Sequence, residues 1–157
     1  TPEEVFTDEL VASLYGMESG SFNTLFGSVE MAAVAGEPLV FVIAGGGKGI
    51  PIYRLLQKHK IAFSTGILFE NDVDFQVASV LSDNVVAAEA FLPVEEGQIA
   101  RAKELISRAS WVIDAGTKIG AFNQCSQELI DYAALKGKTV LHGMKELEEN
   151  TWQKIKQ

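Results

Sequence analysis

The chain has 157 residues, of which 47% are hydrophobic and 22% are charged, and its formal net charge is −8 at pH 7. This length suits one domain with a short attached piece, and the acidic balance argues against a nucleic-acid or anionic-membrane partner because neutralising phosphates requires clustered Lys and Arg. No apolar run is long enough to insert into a membrane. The single cysteine, Cys125, excludes an internal disulfide and fits the reducing cytoplasm.

The first 37 residues predict a segment attached to the main domain. Residues 1–16 combine a capping box, a proline at the first helical position and an apolar helical face, which predicts a helical unit that ends at Gly16. Residues 17–37 are rich in Gly, Ser, Asn and Glu, which indicates a linker or a loose hairpin. We therefore divide the chain into a tail with its linker, residues 1–37, and a domain, residues 38–157. Because the chain begins with Thr-Pro instead of Met, we expect it to be cut from a longer protein.

From Leu39 onward, strand and helix patterns alternate along the chain. Strands are predicted at residues 39–44, about 61–68, 85–88, 111–114 and 139–142. Helices are predicted at about 50–59, through 77–81, and at about 95–109 and 124–136, and the last 13 residues predict an amphipathic helix anchored by Trp152 and Ile155. Five strands with four intervening helices predict an α/β fold. We expect a Rossmann-like three-layer αβα sandwich with a five-stranded parallel sheet.

The first strand leads into a glycine-rich turn, Gly45-Gly46-Gly47-Lys48-Gly49. Glycines let the backbone approach a ligand without a Cβ in the way, and the following helix presents unpaired N–H groups, a usual place for an anion. The spacing fits neither the dinucleotide fingerprint nor a Walker A loop, because Lys48 is followed by Gly49. The turn predicts either a pocket for a small anion or a tight turn without a ligand. Lys48 is then either the partner of that anion or a solvated lysine.

A second loop predicts the other wall of a crevice. If the strand order is 3-2-1-4-5, ligands bind between the first and fourth strands, beyond their carboxyl ends. The loop after the fourth strand contains Gly116 and Thr117 and ends at Asn123, which we expect to cap the next helix. Asp114, at the end of the fourth strand, is the acid best placed for this crevice; the alternative is that it only bonds backbone N–H groups.

Two aspartates follow the second strand, and the sequence leaves their role open. Asp72 and Asp74 either bind a ribose or hydroxyl group, with one of them as a base, or hold the turn. In the second reading, which we favour, Asp74 caps the following helix and Asp72 supports the turn. No His, Cys or acidic cluster has metal-ligand spacing, and no serine has the nucleophile-elbow context. We therefore predict no catalytic residue, no metal and no cofactor.

Two stretches carry a resemblance to a known family. The run Thr1-Pro2-Glu3-Glu4-Val5-Phe6-Thr7, which leads to Leu14-Tyr15-Gly16, resembles the tail of the ATPase subunits of iron–siderophore and cobalamin ABC importers. In them a Thr-Pro-Glu-Glu-Val-Leu-Thr run similarly leads to Val-Tyr-Gly. The remainder, from about Leu39, is similar to a C-terminal extension that some bacterial and archaeal members carry after that tail.

Three motifs support the second part of this resemblance. The extension's Gly-Gly-Gly-x-Gly matches Gly45 to Gly49, its Asp-x-Asp matches Asp72 and Asp74, and its Gly-x-x-Asn matches Gly120 and Asn123. The chain departs from the pattern at Phe69 and Asn71, where the family usually has Asn and Gly. It also lacks the Walker A, signature and Walker B elements that bind and hydrolyse ATP.

The resemblance implies a non-catalytic accessory or regulatory domain of an ABC transporter ATP-binding protein, without a cofactor, at the cytoplasmic face of the membrane. Its partners would be the ATPase domain of the parent chain and the transporter complex. The paired glycine loops add the hypothesis of a small anionic or nucleotide-like ligand. One alternative is a structural domain that forms homodimers of the ATPase through an edge strand or the terminal helix. Another is an enzyme similar to lysine-decarboxylase-like nucleotide phosphoribohydrolases, although the loop Ala115-Gly116-Thr117 lacks their Pro-Gly-Gly-x-Gly-Thr motif.

Overall fold

The computed structural model describes residues 20–23, 28–147 and 149–157. The predicted helical unit of residues 1–16 lies outside the described residues. Two strands, β1 (Gly20–Asn23) and β2 (Ser28–Met31), pair antiparallel. They form a hairpin, which is one of the two alternatives expected for residues 17–37.

Strands and helices then alternate along the rest of the chain. The elements in order are β3 (Val40–Ile43), α1 (Ile50–Lys58), β4 (Phe63–Phe69), α2 (Val73–Leu81), β5 (Asn84–Ala88), α3 (Glu96–Arg108), β6 (Trp111–Asp114), α4 (Gln124–Leu135), β7 (Thr139–His142), a short 3-10 helix (Met144–Glu146) and α5 (Glu149–Lys156). Each predicted strand and helix from residue 39 onward is present, and most ends lie within about two residues of the prediction, the usual uncertainty of such boundaries. The exception is the terminal helix, which was expected over the last 13 residues but begins only at Glu149, after the 3-10 helix.

Within the described residues, the main sheet has five strands in the order β5-β4-β3-β6-β7, and every neighbouring pair is parallel. The prediction of a Rossmann-like α/β fold is therefore confirmed. Counted along the chain from β3, this is the order 3-2-1-4-5 on which the crevice prediction depended. The strand order reverses between β3 and β6, so their carboxyl ends form the topological switch point of the sheet.

Both faces of the sheet are covered, as the continuous apolar sequence of β3 requires. Because side chains alternate along a strand, Val40 and Val42 point to one face, while Phe41 and Ile43 point to the other. All four are essentially excluded from solvent. The first face packs against α1, α2 and α5, and the second packs against α3 and α4. A central strand buried on both sides positions the glycine-rich turn rigidly at its end.

The terminal helix α5 completes the first face. Trp152 and Ile155 are 6% and 3% exposed, which confirms both predicted anchors. The Trp152 ring also stacks on His59, with ring centroids 4.5 Å apart and an interplanar angle of 14°. In the part of the chain that the structure describes, no helix has the length and apolar character needed to cross a membrane.

Candidate functional site

Three loops meet at the carboxyl ends of β3, β4 and β6. They are residues 44–49, 70–72 and 115–123. The hydroxyl of Thr117 donates a hydrogen bond of 2.9 Å to the carbonyl oxygen of Gly45, so the first and third loops are in direct contact across the switch point. The sequence placed these two loops face to face, and the structure brings them together.

The glycines of the turn after β3 are required for two different physical reasons. Gly46 and Gly47 have φ angles of +63° and +89°, in the left-handed region that side chains disfavour. Gly49 has an ordinary helical φ of −77°. A Cβ atom there would lie 2.7 Å from both the Cβ of Ala44 and the Cζ of Tyr53. The first two glycines therefore set the path of the backbone, and Gly49 lets α1 pack closely on the end of β3.

Two carboxylates of the chain itself bind the amides of this turn. The Gly46 N–H donates to Oδ2 of Asp72 at 2.9 Å, and the Gly49 N–H donates to Oδ2 of Asp74 at 3.1 Å. The Lys48 N–H donates to the carbonyl oxygen of Gly45 at 3.2 Å. The N–H groups of Gly46, Lys48 and Gly49 thus already hold internal partners. The side chain of Lys48 itself is exposed.

The two aspartates do not divide their structural roles as the sequence predicted. Asp72, not Asp74, is the N-cap of α2, and its Oδ1 accepts a 2.9 Å hydrogen bond from the Asp74 N–H. The prediction that Asp74 caps this helix is wrong because Asp72 is the last residue with extended backbone angles, and only such a residue can turn its side chain back onto the first helical amides. Asp74 lies inside the first turn of the helix and reaches the glycine turn.

The carboxyl of Asp74 is fully buried, and its Oδ1 has no hydrogen-bond partner among the described residues. Burial raises the pKa of this carboxyl; the hydrogen bond from Gly49 acts in the opposite direction and the nearby charge of Asp72 acts in the same one. Beside it, burial also raises the pKa of Tyr53 well above its ordinary value. The Tyr53 hydroxyl lies 2.7 Å from Oγ1 of Thr65, which donates onward to the carbonyl oxygen of Val42. Three buried polar side chains, those of Tyr53, Thr65 and Asp74, therefore lie on the core side of the turn.

At the end of β6, Asp114 connects two elements. Its Oδ1 accepts a 2.9 Å hydrogen bond from the Gly116 N–H, and its Oδ2 lies 3.1 Å from Nδ1 of His142. The Asp114 side chain is 19% exposed and that of His142 is 58% exposed. The sequence analysis did not pair these residues. Each is the last residue of its strand, and β6 and β7 are parallel neighbours in register, so strand order alone would have suggested the pair.

Asn123 stabilises the loop before α4 instead of the helix. It occupies the N-cap position but makes no side-chain capping bond, so the capping prediction is wrong in this respect. Its Oδ1 accepts a 2.6 Å hydrogen bond from the Gly120 N–H, and its Nδ2 donates to the carbonyl oxygen of Lys118 at 3.1 Å. Both bonds turn the amide toward the preceding loop, away from the helical N–H groups. Gly120 and Asn123, the residues of the Gly-x-x-Asn motif, thus stabilise the conformation of this loop.

An apolar cleft of about 980 Å³ lies at the same end of the sheet. It is formed by the end of β4 and the residues after it, the loop after β5 with the start of α3, and the loop before α4 with the start of that helix. Its main apolar side chains are Phe69, Phe91, Leu92, Val94, Ile99 and Phe122. Its polar side chains are Asn71, Gln124 and Glu128. Sequence reasoning missed this cleft, although the consecutive apolar residues Phe91 and Leu92 in a predicted loop were a usable signal.

Some chemistry has no support in this arrangement. Over residues 20–23, 28–147 and 149–157, no group of three or more His, Cys, Asp or Glu side chains is placed to hold a metal ion. Burial raises the pKa of the Cys125 thiol, which opposes formation of the reactive thiolate.

The fold and the loops at its carboxyl edge define a Rossmann-like α/β domain. The amides of its glycine turn are hydrogen-bonded to carboxylates of the same chain. The model of the MJ0874 family matches residues 63–156, more than half of the chain, and the chain belongs to this family. The matched region runs from the first residue of β4 into α5, and the glycine turn precedes it. No curated protein and no solved structure shows significant similarity to the chain.

Proposed function

We propose that this chain is a non-catalytic accessory domain of the ATP-binding subunit of an ABC importer for iron–siderophore or cobalamin, in the cytoplasm. One observation carries the proposal. Two motifs of the resemblance, Gly-Gly-Gly-x-Gly and Asp-x-Asp, are hydrogen-bonded to each other through Gly46 with Asp72 and Gly49 with Asp74. Residues that are distant in the sequence thus form one unit at the ligand-binding edge of the fold. The Thr-Pro-Glu-Glu tail at the start of the chain supports the attachment to an ATPase.

The hydrogen bonds that the aspartates at this edge already make within the chain support a role without catalysis. Asp72 caps α2, Asp74 is enclosed under Gly49, and Asp114 holds Gly116 and His142. General acid–base catalysis requires a group within reach of a substrate proton and free to exchange it. At this edge the carboxylates are instead used to fix the loops.

A small anionic or nucleotide-like ligand at the turn would bind by displacing Asp72. This carboxylate is half-buried and meets the amide of Gly46, whereas Asp74 is fully enclosed. An incoming phosphate or carboxylate would take over the Gly46 N–H, and Asp72 would move toward solvent. The backbone amide and the nearby helix terminus would then hold the anion.

A thermal-shift screen of the purified chain tests this binding. The ligands are ATP, ADP, AMP, cyclic nucleotides, cobalamin, ferric siderophores and inorganic phosphate. A ligand at a hundredfold excess over its Kd adds about 2.7 kcal/mol, which raises the midpoint by several degrees. Asp72→Ala frees the Gly46 amide and should enlarge the shift that an anion produces.

The matched control is Asp131→Ala, which removes the same charge from the exposed side of α4. The ligand-induced shift is compared within each variant, because Asp72→Ala also removes the cap of α2. Equal shifts in both variants and the unmodified chain would place the anion elsewhere. An absence of any shift would leave the turn without a ligand role.

The attachment to a transport ATPase has a separate test. In the natural protein, the residues that precede Thr1 should carry Walker A, signature and Walker B motifs. Cloning and sequencing of the reading frame upstream decides this. A reading frame without these motifs overturns the transporter assignment, whatever the thermal-shift screen shows.

A further inference from the structure

We propose that the apolar cleft is a binding site for a small, mainly apolar molecule that bears no negative charge. The cleft is separate from the glycine turn and takes a ligand of different chemistry. The inference therefore does not depend on an anion at Gly46 or on the attachment to an ATPase. It follows from the cleft's shape, its lining and the charges around it.

The volume and lining of the cleft fit a small organic molecule. Its volume of about 980 Å³ lies at the upper end of the ~300–1,000 Å³ range of ligand pockets. Phe69, Phe91 and Phe122 contribute aromatic rings, and the amides of Asn71 and Gln124 contribute a few polar atoms. A mostly apolar wall with a small number of polar groups is the usual composition of a ligand site, in which the polar groups orient the ligand.

The structure holds two large apolar side chains in solvent at the rim of this cleft. Phe91 is 92% exposed and Phe122 is 89% exposed. Phe91 also has a φ of +65°, a conformation that is uncommon for a bulky residue. Exposed aromatic rings gain nothing from packing in the free protein, so a ligand that covers them recovers apolar area.

The charges around the cleft disfavour an anion. Residues 61–100, which supply two of its three walls, contain no Lys, Arg or His. At the cleft's end of the sheet this stretch carries Glu70, Glu89, Glu95 and Glu96, whereas Asp83 precedes β5 at the opposite end and Asp72 and Asp74 bond the glycine turn. The single charged residue among the cleft's lining groups in the described chain is Glu128, which pairs with Lys103 at 2.7 Å. The surrounding field is therefore negative, and aromatic faces attract cations.

Three probes with one ring system and different charges test the chemistry: 1-naphthylmethylamine, 1-naphthalenemethanol and 1-naphthoate. Binding is measured by titration calorimetry with the whole chain. We expect the amine and the alcohol to bind, and the carboxylate to bind at least about tenfold more weakly because of the acidic surroundings. Equal or tighter binding of the carboxylate overturns the charge argument, and no binding of any probe overturns the site.

Cys125 locates the bound probe, because it lines the cleft and is the chain's single cysteine. The rate of its alkylation by N-ethylmaleimide is measured at mildly alkaline pH, with and without saturating 1-naphthylmethylamine. We expect the bound amine to slow alkylation about fivefold or more, since it covers the sulfur. An unchanged rate shows that the probe binds outside the cleft and contradicts the proposal.

Variants of the exposed rings separate this site from the turn. Phe122→Ser and Phe91→Ser should each weaken binding of the amine about three- to tenfold, because each removes one aromatic ring that would contact the probe. Neither ring is part of the core, so the fold should not change. Leu135→Ser is the control, because Leu135 is 83% exposed at the other end of α4 and should leave binding unchanged. The anion screen reports on the glycine turn and the naphthalene probes report on the cleft, so failure of one is distinguishable from failure of the other.

A second copy of the chain is the competing occupant of this surface. Sedimentation velocity over a range of concentrations detects it. A monomer at all concentrations supports the small-molecule assignment. Self-association that Phe122→Ser abolishes would identify the cleft as a dimer interface and overturn it.

Discussion

The turn after β3 and the loop after β6 look alike in the sequence but differ in construction. Each follows a buried strand, contains glycines and a lysine, and precedes a helix. In the turn after β3, a Cβ on Gly49 would overlap Ala44 and Tyr53. In the loop after β6, a Cβ on Gly116 would meet nothing within 4 Å, and one on Gly120 would meet only an Asn123 oxygen at 4.0 Å. The first is packed against the core, and the second is open to solvent.

Their hydrogen bonds differ in the same way. The turn after β3 is tied to residues of another loop, Asp72 and Asp74. The loop after β6 is held mainly by local partners, Asp114 before it and Asn123 at its end. Thr117 makes the link between the two. Glycine in a strand-to-helix connection therefore indicates either close packing or backbone freedom, and only its surroundings decide which.

The largest effect is expected for Gly49→Ala. The added methyl group must displace Tyr53, which is fully buried, so the variant should lose about 2–3 kcal/mol of the free energy of unfolding. Urea denaturation followed by circular dichroism measures the loss. Gly120→Ala in the open loop is the matched control and should change stability by no more than about 0.5 kcal/mol. Similar losses of unfolding free energy for the two variants would show that the two loops are not packed differently.

A smaller effect, with a defined pH dependence, is expected at Asp74. Asp74→Asn replaces the acceptor of the Gly49 N–H bond and should cost about 1–2 kcal/mol at neutral pH. Burial raises the carboxyl's pKa above its ordinary value of 3.8, so the folded state holds its proton to a higher pH than the unfolded state does. As pH rises from below 3.8 through the folded pKa, the stability of the original chain should fall relative to that of Asp74→Asn.

Denaturant midpoints across this pH range give the difference between the two proteins. Asp131→Asn, on the exposed side of α4, controls for the loss of one charge. If the original chain instead gains stability over Asp74→Asn as pH rises, the carboxyl is stabilised in its charged form, and burial does not dominate its pKa.

The smallest effect is expected for the contact between the two loops. Thr117→Val keeps the shape of the side chain but removes the hydroxyl that donates to Gly45, so it should cost about 1 kcal/mol. Thr139→Val, at an exposed position that begins β7, is the control and should be nearly neutral. The difference in thermal midpoint between the two variants measures how strongly the loops are coupled. A Thr117→Val midpoint equal to that of the control would mean that the loops are independent.

The fold could be predicted because its signals are local. The strands at 111–114 and 139–142 were predicted with the residue bounds that the structure has, since each is a short apolar run between polar residues. Trp152 and Ile155 were identified because their spacing places both on one face of a helix. The helical or strand periodicity of a segment can be recognised without knowing which distant segments pack against it.

The site was only partly predictable because it depends on contacts between segments. The sequence brought the turn after β3 and Thr117 to the same edge, but it did not indicate that Asp72 and Asp74 would bind the turn's amides. That pairing is set by how β4 lies beside β3. The apolar cleft needs residues from three separate segments of the chain, so no window of sequence contains it.

The contact between Trp152 and His59 also bears on the order of events during synthesis. It joins the last helix of the chain to the end of α1, and the two are separated by most of the α/β part. Contacts of such long range form late, because the entropy of closing the intervening loop must first be offset. Until α5 leaves the ribosome, the part of the sheet's first apolar face that Trp152 and Ile155 cover stays exposed, although α1 and α2 already cover the rest. A nonsense mutation just before Trp152 would make that exposure permanent and turn the product into a substrate for chaperones and proteases.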